Sequence, residues 1–294
     1  MSTYTSYNQV GKAEDVSDII TDISPTDTPF FSSIKGESVA ARVFEWQEDS
    51  LAAAANNAAV EGADASMASL SATTSRTNNT QILTKAFQVS ATADAVKTYG
   101  RAKETAYQLG KALKEIKRDL ERAYIGVDNA AVTGSASVAR EMASATQMIN
   151  TSVDAGSNAT DALTEAKLLD LGEDCYENGS EPTIFMIKPA DATIVADFAA
   201  ASGRNREFAG STELVNAIDL YVSPFGEYSV VINRHQLSTH AFLYDPAMWR
   251  SATLRPFTRT LLAKNGDSDK HFVVGEMSLK HMNFDADGMI TGLS

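Results

Sequence analysis

Cysteine is all but missing from this chain: Cys175 is the only one among 294 residues. An internal disulfide framework is therefore excluded, and a lone thiol suits a reducing cytoplasm. Positive charge is scarce as well. Lys and Arg number 25 against 38 Asp and Glu, a formal net charge of −13. That balance argues against a protein that coats nucleic acid, because such proteins release counterions through clustered Lys and Arg. It leaves open a wall that surrounds a polyanion without gripping it. No stretch approaches the roughly 18–20 apolar residues that span a bilayer, so no membrane partner is expected. The opening MSTYTSYNQVGKAEDV has neither a basic region nor an apolar one of the kind that directs secretion. The sequence predicts synthesis in the cytoplasm.

Catalytic signatures are lacking too. GxSxG, GxGxxG, GxxxxGK and HExxH are absent. Asp267, Ser268 and His271 stand close together, which would suit a hydrolase, but they fall at a hairpin turn with no oxyanion-hole element beside them. They read as turn residues next to a strand. Asn283-Phe-Asp-Ala-Asp-Gly288 resembles the start of a calcium loop through Asp285 and Asp287. Its twelfth position, however, is the terminal Ser294 instead of a bidentate Glu. His235 and His240 match no zinc spacing, and Cys175 reads as a small hydrophobe on a core helix face. No catalytic, cofactor or metal residue is predicted, and the chain reads as a non-enzyme.

With 44% apolar residues the chain is nevertheless a globular protein of one large or two ordinary domains. Residues 38–93 carry the most information. Over Ser38–Ser50, Val39, Ala41 and Val43 alternate with Arg42, Phe44, Trp46 and Glu48, the period of a pleated strand. Thr80–Ser90 alternates likewise, with Leu83, Phe87 and Val89 on one side and Lys85 among them. Between them runs LAAAANNAAVEGADASMASLSATTSRTNN, nearly devoid of large apolar anchors. A structureless loop beyond about 15 residues is uncommon inside a compact domain, and an isolated two-stranded arm is not stable in water. This arm needs a surface the rest of the chain is too short to supply. The sequence predicts that another subunit supplies it.

Five blocks follow along the chain. Residues 1–35 form an N-terminal arm, with Val16, Ile19, Ile20 and Ile23 on one face of a helix over 15–23 that stops before Pro25. Ser24–Phe30 then reads as turns or extended chain: either a linker, or an arm that docks Phe30 and Phe31 on a neighbour. Residues 36–95 are the β-hairpin. Residues 96–159 hold a helix over 98–127 with the apolar stripe Leu109, Leu113, Ile116, Leu120 and Ala123. Its other faces are locally basic, with Lys111, Lys114, Lys117, Arg118 and Arg122, and Lys111–Glu115 and Lys117–Glu121 stand one turn apart. Either the helix is simply solvated, or its charges meet acidic partners across a subunit boundary. Residues 128–160, rich in Ala, Ser, Thr and Asn, read as a mobile connection. Residues 160–245 form an α/β unit: a helix capped by Thr160 or Asp161 with Leu163, Ala166, Leu169 and Cys175 inward, a strand over 182–188, a helix over 191–201, a polar loop over 202–207, and strands about Tyr221 and Tyr228–Ile232. Residues 246–294 are β-rich, with a hairpin turn at Asn265-Gly-Asp267.

This order of elements resembles the α+β Hong Kong 97-type fold of tailed-bacteriophage major capsid proteins. The wording is similar to one branch once catalogued as a phage domain of unknown function. The phrases are Glu14-Asp-Val-Ser-Asp-Ile-Ile, Ser24-Pro-Thr-Asp-Thr-Pro-Phe, Glu45-Trp-Gln-Glu-Asp-Ser-Leu-Ala-Ala-Ala, Ala106-Tyr-Gln-Leu, Lys114-Glu-Ile-Lys-Arg-Asp-Leu-Glu and Leu262-Ala-Lys-Asn-Gly-Asp-Ser-Asp-Lys. The resemblance implies an N-arm over 1–35 and an extended β-hairpin E-loop over 36–95. It implies a spine helix with its connection over 96–159 in the peripheral domain, an axial domain over 160–245, and the remaining peripheral β-segment over 246–294. It implies self-assembly through pentamers and hexamers into an icosahedral head that encloses double-stranded DNA without sequence-specific binding, and a shell that expands as DNA enters. Partners would be further copies, a portal and, where present, a cement protein. The arm begins almost at once, without the cleaved region of about a hundred residues some members carry, so a separate scaffolding protein is expected. Contacts between copies are expected at Phe30, Phe31, Phe44, Trp46, Lys85, Phe87, Lys111, Lys114, Arg118 and Arg122. Lys85 lies in the arm that some relatives crosslink, but no acid-base partner accompanies it and no crosslink is predicted. The competing readings are a bacterial nanocompartment shell with the same fold, a hydrolase at Ser268, and a protein that merely forms small rings.

Overall fold

The computed structural model describes residues 27–62, 64, 67, 70–96, 103–156, 161–201 and 220–294. The expected helix over 15–23 and the polar loop over 202–207 lie outside the described residues. A single helical turn, α1 (Pro29–Ser33), leads into β1 (Lys35–Ser38), and β2 (Val43–Glu48) opens the arm. The chain returns through β3 (Thr74–Asn79) and β4 (Gln81–Ser90), a short α2 (Ala91–Ala95) and the long α3 (Glu104–Ile125). Then come β5 (Thr151–Asp154), α4 (Glu165–Glu177), β6 (Ile184–Ile187), α5 (Ala192–Ala201), β7 (Leu220–Ser223) and β8 (Gly226–Ile232). The closing strands are β9 (Ala241–Tyr244), β10 (Trp249–Leu261), β11 (Ser268–His281) and β12 (Gly288–Thr291).

Three sheets organise the described residues. One has the order β1-β10-β11-β4, a second β5-β12-β9-β6-β8-β7, and the third is the pair β2-β3. The long strands β10 and β11 form a bulged antiparallel hairpin, with register shifts around Arg255, and β4 extends it along the other edge of β11. On this first sheet α3 lays Ala112, Ile116, Leu120 and Tyr124, all buried, so one core runs from Phe30 through the helix to Val273 and Leu279. The second sheet has its own core, where α4 and α5 contribute Leu168, Leu171, Cys175 and Val195 against Phe185, Leu243 and Ile290.

Four expectations change. The arm does not pair its two predicted strands with one another. Val43–Glu48 pairs with Thr74–Asn79, whereas β4 runs along β11, with Gln81 opposite Met277 and Ser90 opposite Ser268. Thr80 divides the two pairings: it is fully buried, its hydroxyl hydrogen-bonds to Glu276, and its carbonyl accepts from Arg140. The predicted mobile connection is packed over residues 142–154. Met142, Ala145 and Met148 are buried, and β5 pairs in parallel with β12. Residues 246–294 divide between two sheets, since β12 joins the second. Finally, the α3 stripe holds at Ile116 and Leu120, which are buried, and at Leu109 and Ala123, which pack against the core, but Leu113 is exposed. On α4 Leu169 is half-buried and Ala166 exposed, so α4 is rotated from the face its spacing suggests. Tyr124, about three turns beyond Leu113, adds to the α3 contact, with its hydroxyl 2.7 Å from Ser251 Oγ and 3.1 Å from the Ser278 carbonyl.

Candidate inter-subunit surfaces

The junction of the N-terminal arm with α3 is built on one buried carboxylate. α1 has Pro29 at its first position and Thr28 before it, yet the Thr28 side chain does not cap the turn. The orphan donors of a helix start need an acceptor. Glu121 supplies it from α3: Oε1 accepts from Phe30 N at 2.9 Å and Oε2 from Phe31 N at 2.8 Å. Asn233, just past β8, donates its side-chain amide to the same Oε1 at 2.7 Å. Burial pushes the Glu121 carboxyl above the usual range, and these three donors pull it partly back. The predicted Lys117–Glu121 surface pair is thus corrected. Glu121 turns inward, and Lys117 lies over the Phe31 ring at 5.6 Å.

A second node joins the two larger sheets. Asp287, fully buried in the turn before β12, accepts from Trp249 Nε1 at 2.6 Å and from Asp245 N at 2.8 Å. His281 stacks on Trp249 with ring centroids 4.0 Å apart. Its Nδ1 donates to the Met148 carbonyl at 2.7 Å, since a carbonyl can only accept. Its Nε2 lies 2.9 Å from Asp287 Oδ2, within ion-pair distance but not aligned as a hydrogen bond. Asp285 points elsewhere, to Asn150 at 2.8 Å. The calcium-loop resemblance therefore resolves into a structural clasp in which the two aspartates do not converge. Among the described residues no group of three His, Cys, Asp or Glu could hold a metal ion.

The remaining chemistry candidates separate in the same way. Ser268 and His271 are three apart on a strand, so their side chains leave opposite faces. Ser268 Oγ accepts from Gln88 at 2.6 Å, and His271 Nδ1 accepts from Arg259 Nε at 3.2 Å. Burial, and then Arg259, holds His271 below the usual histidine range. The hydrolase arrangement is not assembled. Cys175 is buried in the second core, and its thiol is pushed up to about 12 by that burial.

The expected contact residues fall into three groups. Phe30 is 1% exposed among Tyr124, Tyr244 and Trp249, while Phe44 and Trp46 stack on each other and Trp46 meets Phe284. These three are taken by the chain's own core and offer a neighbour almost no surface. That is a correction: their alternation marks the buried face of the arm's root, which Arg76 seals by pairing with Glu48 and lying 4.3 Å from the Phe284 ring. A second group is shared. Lys85 pairs with Asp119 at 3.2 Å and Glu115 at 3.6 Å on α3, so Glu115 meets Lys85 in place of the predicted Lys111. Phe87 packs against His271, and Phe31 is half-buried beside Tyr124. The third group is open. Lys111, Lys114 and Arg122 are exposed and Arg118 is half-exposed along the outer side of α3. The Arg234–His235 loop continues that surface. Burial first, and then Arg118, Arg234 and Arg122 beside it, holds His235 below its ordinary value.

Beyond Glu48 the arm leaves the body altogether. From Asp49 to Ala72 the described residues are exposed and form no strand, with Leu51, Met67 and Leu70 more than nine-tenths accessible. Sequence reasoning placed this tip over residues 51–79, of which Thr74–Asn79 is instead the strand β3. It missed Glu121, Asp287 and His281 as nodes.

Comparison with known proteins agrees with this anatomy. A family model described as SU10 major capsid protein matches residues 1–294. The major capsid protein of Escherichia phage Phieco32 is 32% identical over 337 residues, covering 98% of this chain and 96% of that protein. Among solved structures, the capsid of a native GTA particle superposes with a TM-score of 0.70 at 12% identity, over 98% of both chains. The SrpI encapsulin of Synechococcus elongatus PCC 7942 superposes at 0.61 with 10% identity, over 100% of this chain and 97% of that one.

Proposed function

The chain belongs to the SU10 major capsid protein family and is a phage major capsid protein of the Hong Kong 97-type fold; on that premise we propose how its parts build the shell. The observation that carries the reading is the arm: a root clamped into the core by Trp46 and Arg76, and a tip beyond Asp49 whose described apolar side chains, Leu51, Val60, Met67 and Leu70, find no cover in their own chain. The tip is the part of the hairpin E-loop that lies on a neighbouring copy. Residues 1–35 act as the N-arm and α3 as the spine helix. The first sheet is the peripheral platform, and the second sheet with α4 and α5 is the axial unit that meets its equivalents around the five- and six-fold axes.

Mechanism here is assembly. A protruding tip on one side and a receiving surface on another make a heterologous contact, which closes into rings. Rings of five and six then tile an icosahedral head around double-stranded DNA. An acidic chain encloses the polyanion without gripping it. A separate scaffolding protein, a portal and a cement protein are the partners this reading calls for, with assembly in the host cytoplasm. The rival reading, a nanocompartment shell, is favoured only by the encapsulin's shared fold. Light scattering with negative-stain microscopy on the protein expressed alone, and then with phage lysate, tests the proposal. Closed shells or rings of five and six are expected. A stable monomer under both conditions would overturn it.

A further inference from the structure

We infer that the outward cations of α3 dock on the outward acids of α4 in a second copy. This rests on the reading of the chain as a shell-forming protein. On α3, Lys111, Lys114, Arg118 and Arg122 recur at three- and four-residue spacing opposite the buried Ala112, Ile116 and Leu120. They form one row about 16 Å long, and Arg234 continues it from the loop after β8. On α4, Asp170, Glu173, Asp174 and Glu177 are exposed opposite the buried Leu168, Leu171 and Cys175. Among the described residues neither row has an ion-pair partner of its own.

Three considerations select a second copy as the occupant. The chain carries −13 overall, so copies repel unless opposite rows face each other, and complementary patches both steer approach and fix register. The rows sit on different elements over different sheets, so the contact they make is head-to-tail, as ring closure needs. Pairing α3 with α3, or α4 with α4, would set like charges together. A nucleic-acid partner would explain the α3 row but leave the matching acidic row without a role.

Charge reversal in the full chain tests this, read by sedimentation and microscopy under conditions where the wild type forms shells. Lys114→Glu with Arg118→Glu, and separately Asp170→Lys with Asp174→Lys, should each cut shell yield about tenfold or more while circular dichroism and melting stay unchanged. The chain carrying all four changes should recover shells to within about twofold of wild type, the signature of direct pairing. Normal yield from the α3 variant overturns the inference. So does a four-change chain no better than either pair. Shells of the α3 variant that form normally but lose DNA would assign the row to nucleic acid instead. A wild type that never forms shells removes the capsid reading itself, whereas a defect confined to the variants and unrescued removes only this pairing.

Discussion

The clasp around Asp287 and Glu121 and the arm tip beyond Asp49 are opposite solutions in one chain. In the clasp, each buried carboxylate meets donors from other elements: Glu121 gathers residues 30, 31 and 233, and Asp287 gathers 245 and 249. In the tip, the described apolar side chains stand in water and the described residues form no strand. A buried charge must be satisfied inside the monomer, because an unsatisfied one would cost several kcal/mol, on the order of the whole stability of a domain. A long exposed loop costs little, since closure entropy grows only about as the logarithm of its length. The difference separates what folds the subunit from what joins subunits.

Breaking the clasp should therefore unfold, and breaking the tip should only disassemble. Asp287→Ala orphans Trp249 Nε1 and the Asp245 amide in a fully buried site. A loss of about 3–5 kcal/mol is expected by chemical denaturation. Glu121→Ala strips the acceptors from two backbone amides and Asn233 and should cost about 2–3 kcal/mol, with α1 the first segment to exchange amide hydrogens. Glu121→Gln keeps the shape, loses one acceptor and should cost about 1 kcal/mol.

Titration sharpens that middle case. Burial raises the Glu121 pKa above its ordinary 4.5, so the folded chain holds this proton more tightly than the unfolded one. Its contribution to stability is full below about pH 4.5 and is lost as pH rises through the folded value. Urea unfolding at pH 5 and pH 7 should show that decline in the wild type and a flatter dependence in Glu121→Gln; equal slopes would refute it. Replacing residues 52–71 by a short Gly-Ser turn spares β2 and β3 and should change stability by less than about 1 kcal/mol, while abolishing shells. An unchanged particle would sink the arm argument. Leu70→Ser, 94% exposed, should leave the melting temperature in place, within about 0.5 kcal/mol, yet weaken assembly.

Legibility followed interaction range. The α3 periodicity, the hairpin turn before Ser268 and the featureless tip are local patterns, and each was readable within a dozen residues. Pairing of the arm was not. Alternation offered only Thr80–Ser90 as the partner of Val43–Glu48 and left Thr74–Asn79 in the featureless tip. The structure pairs Thr74–Asn79 with Val43–Glu48, and Thr80, whose hydroxyl bonds Glu276 almost two hundred residues away, divides the two pairings. Phe44 and Trp46 were read as contact residues because alternation shows that a face is buried and is silent on what buries it. Glu121 and His281 resemble surface charges in sequence; only long-range donors and acceptors justify their burial.

Sequence by itself determined the long helix and the closing hairpin, the acidic balance, the absence of known catalytic signatures and the family, because composition, periodicity and short phrases are written in neighbouring residues. Tertiary structure alone decided which strands pair, that Asp287 and Glu121 are inner clasps, that Ser268 and His271 face apart, and that the cations of α3 and the acids of α4 each form an open row. Most of those outcomes depend on contacts between segments some forty to two hundred residues apart, whose energies no local pattern encodes.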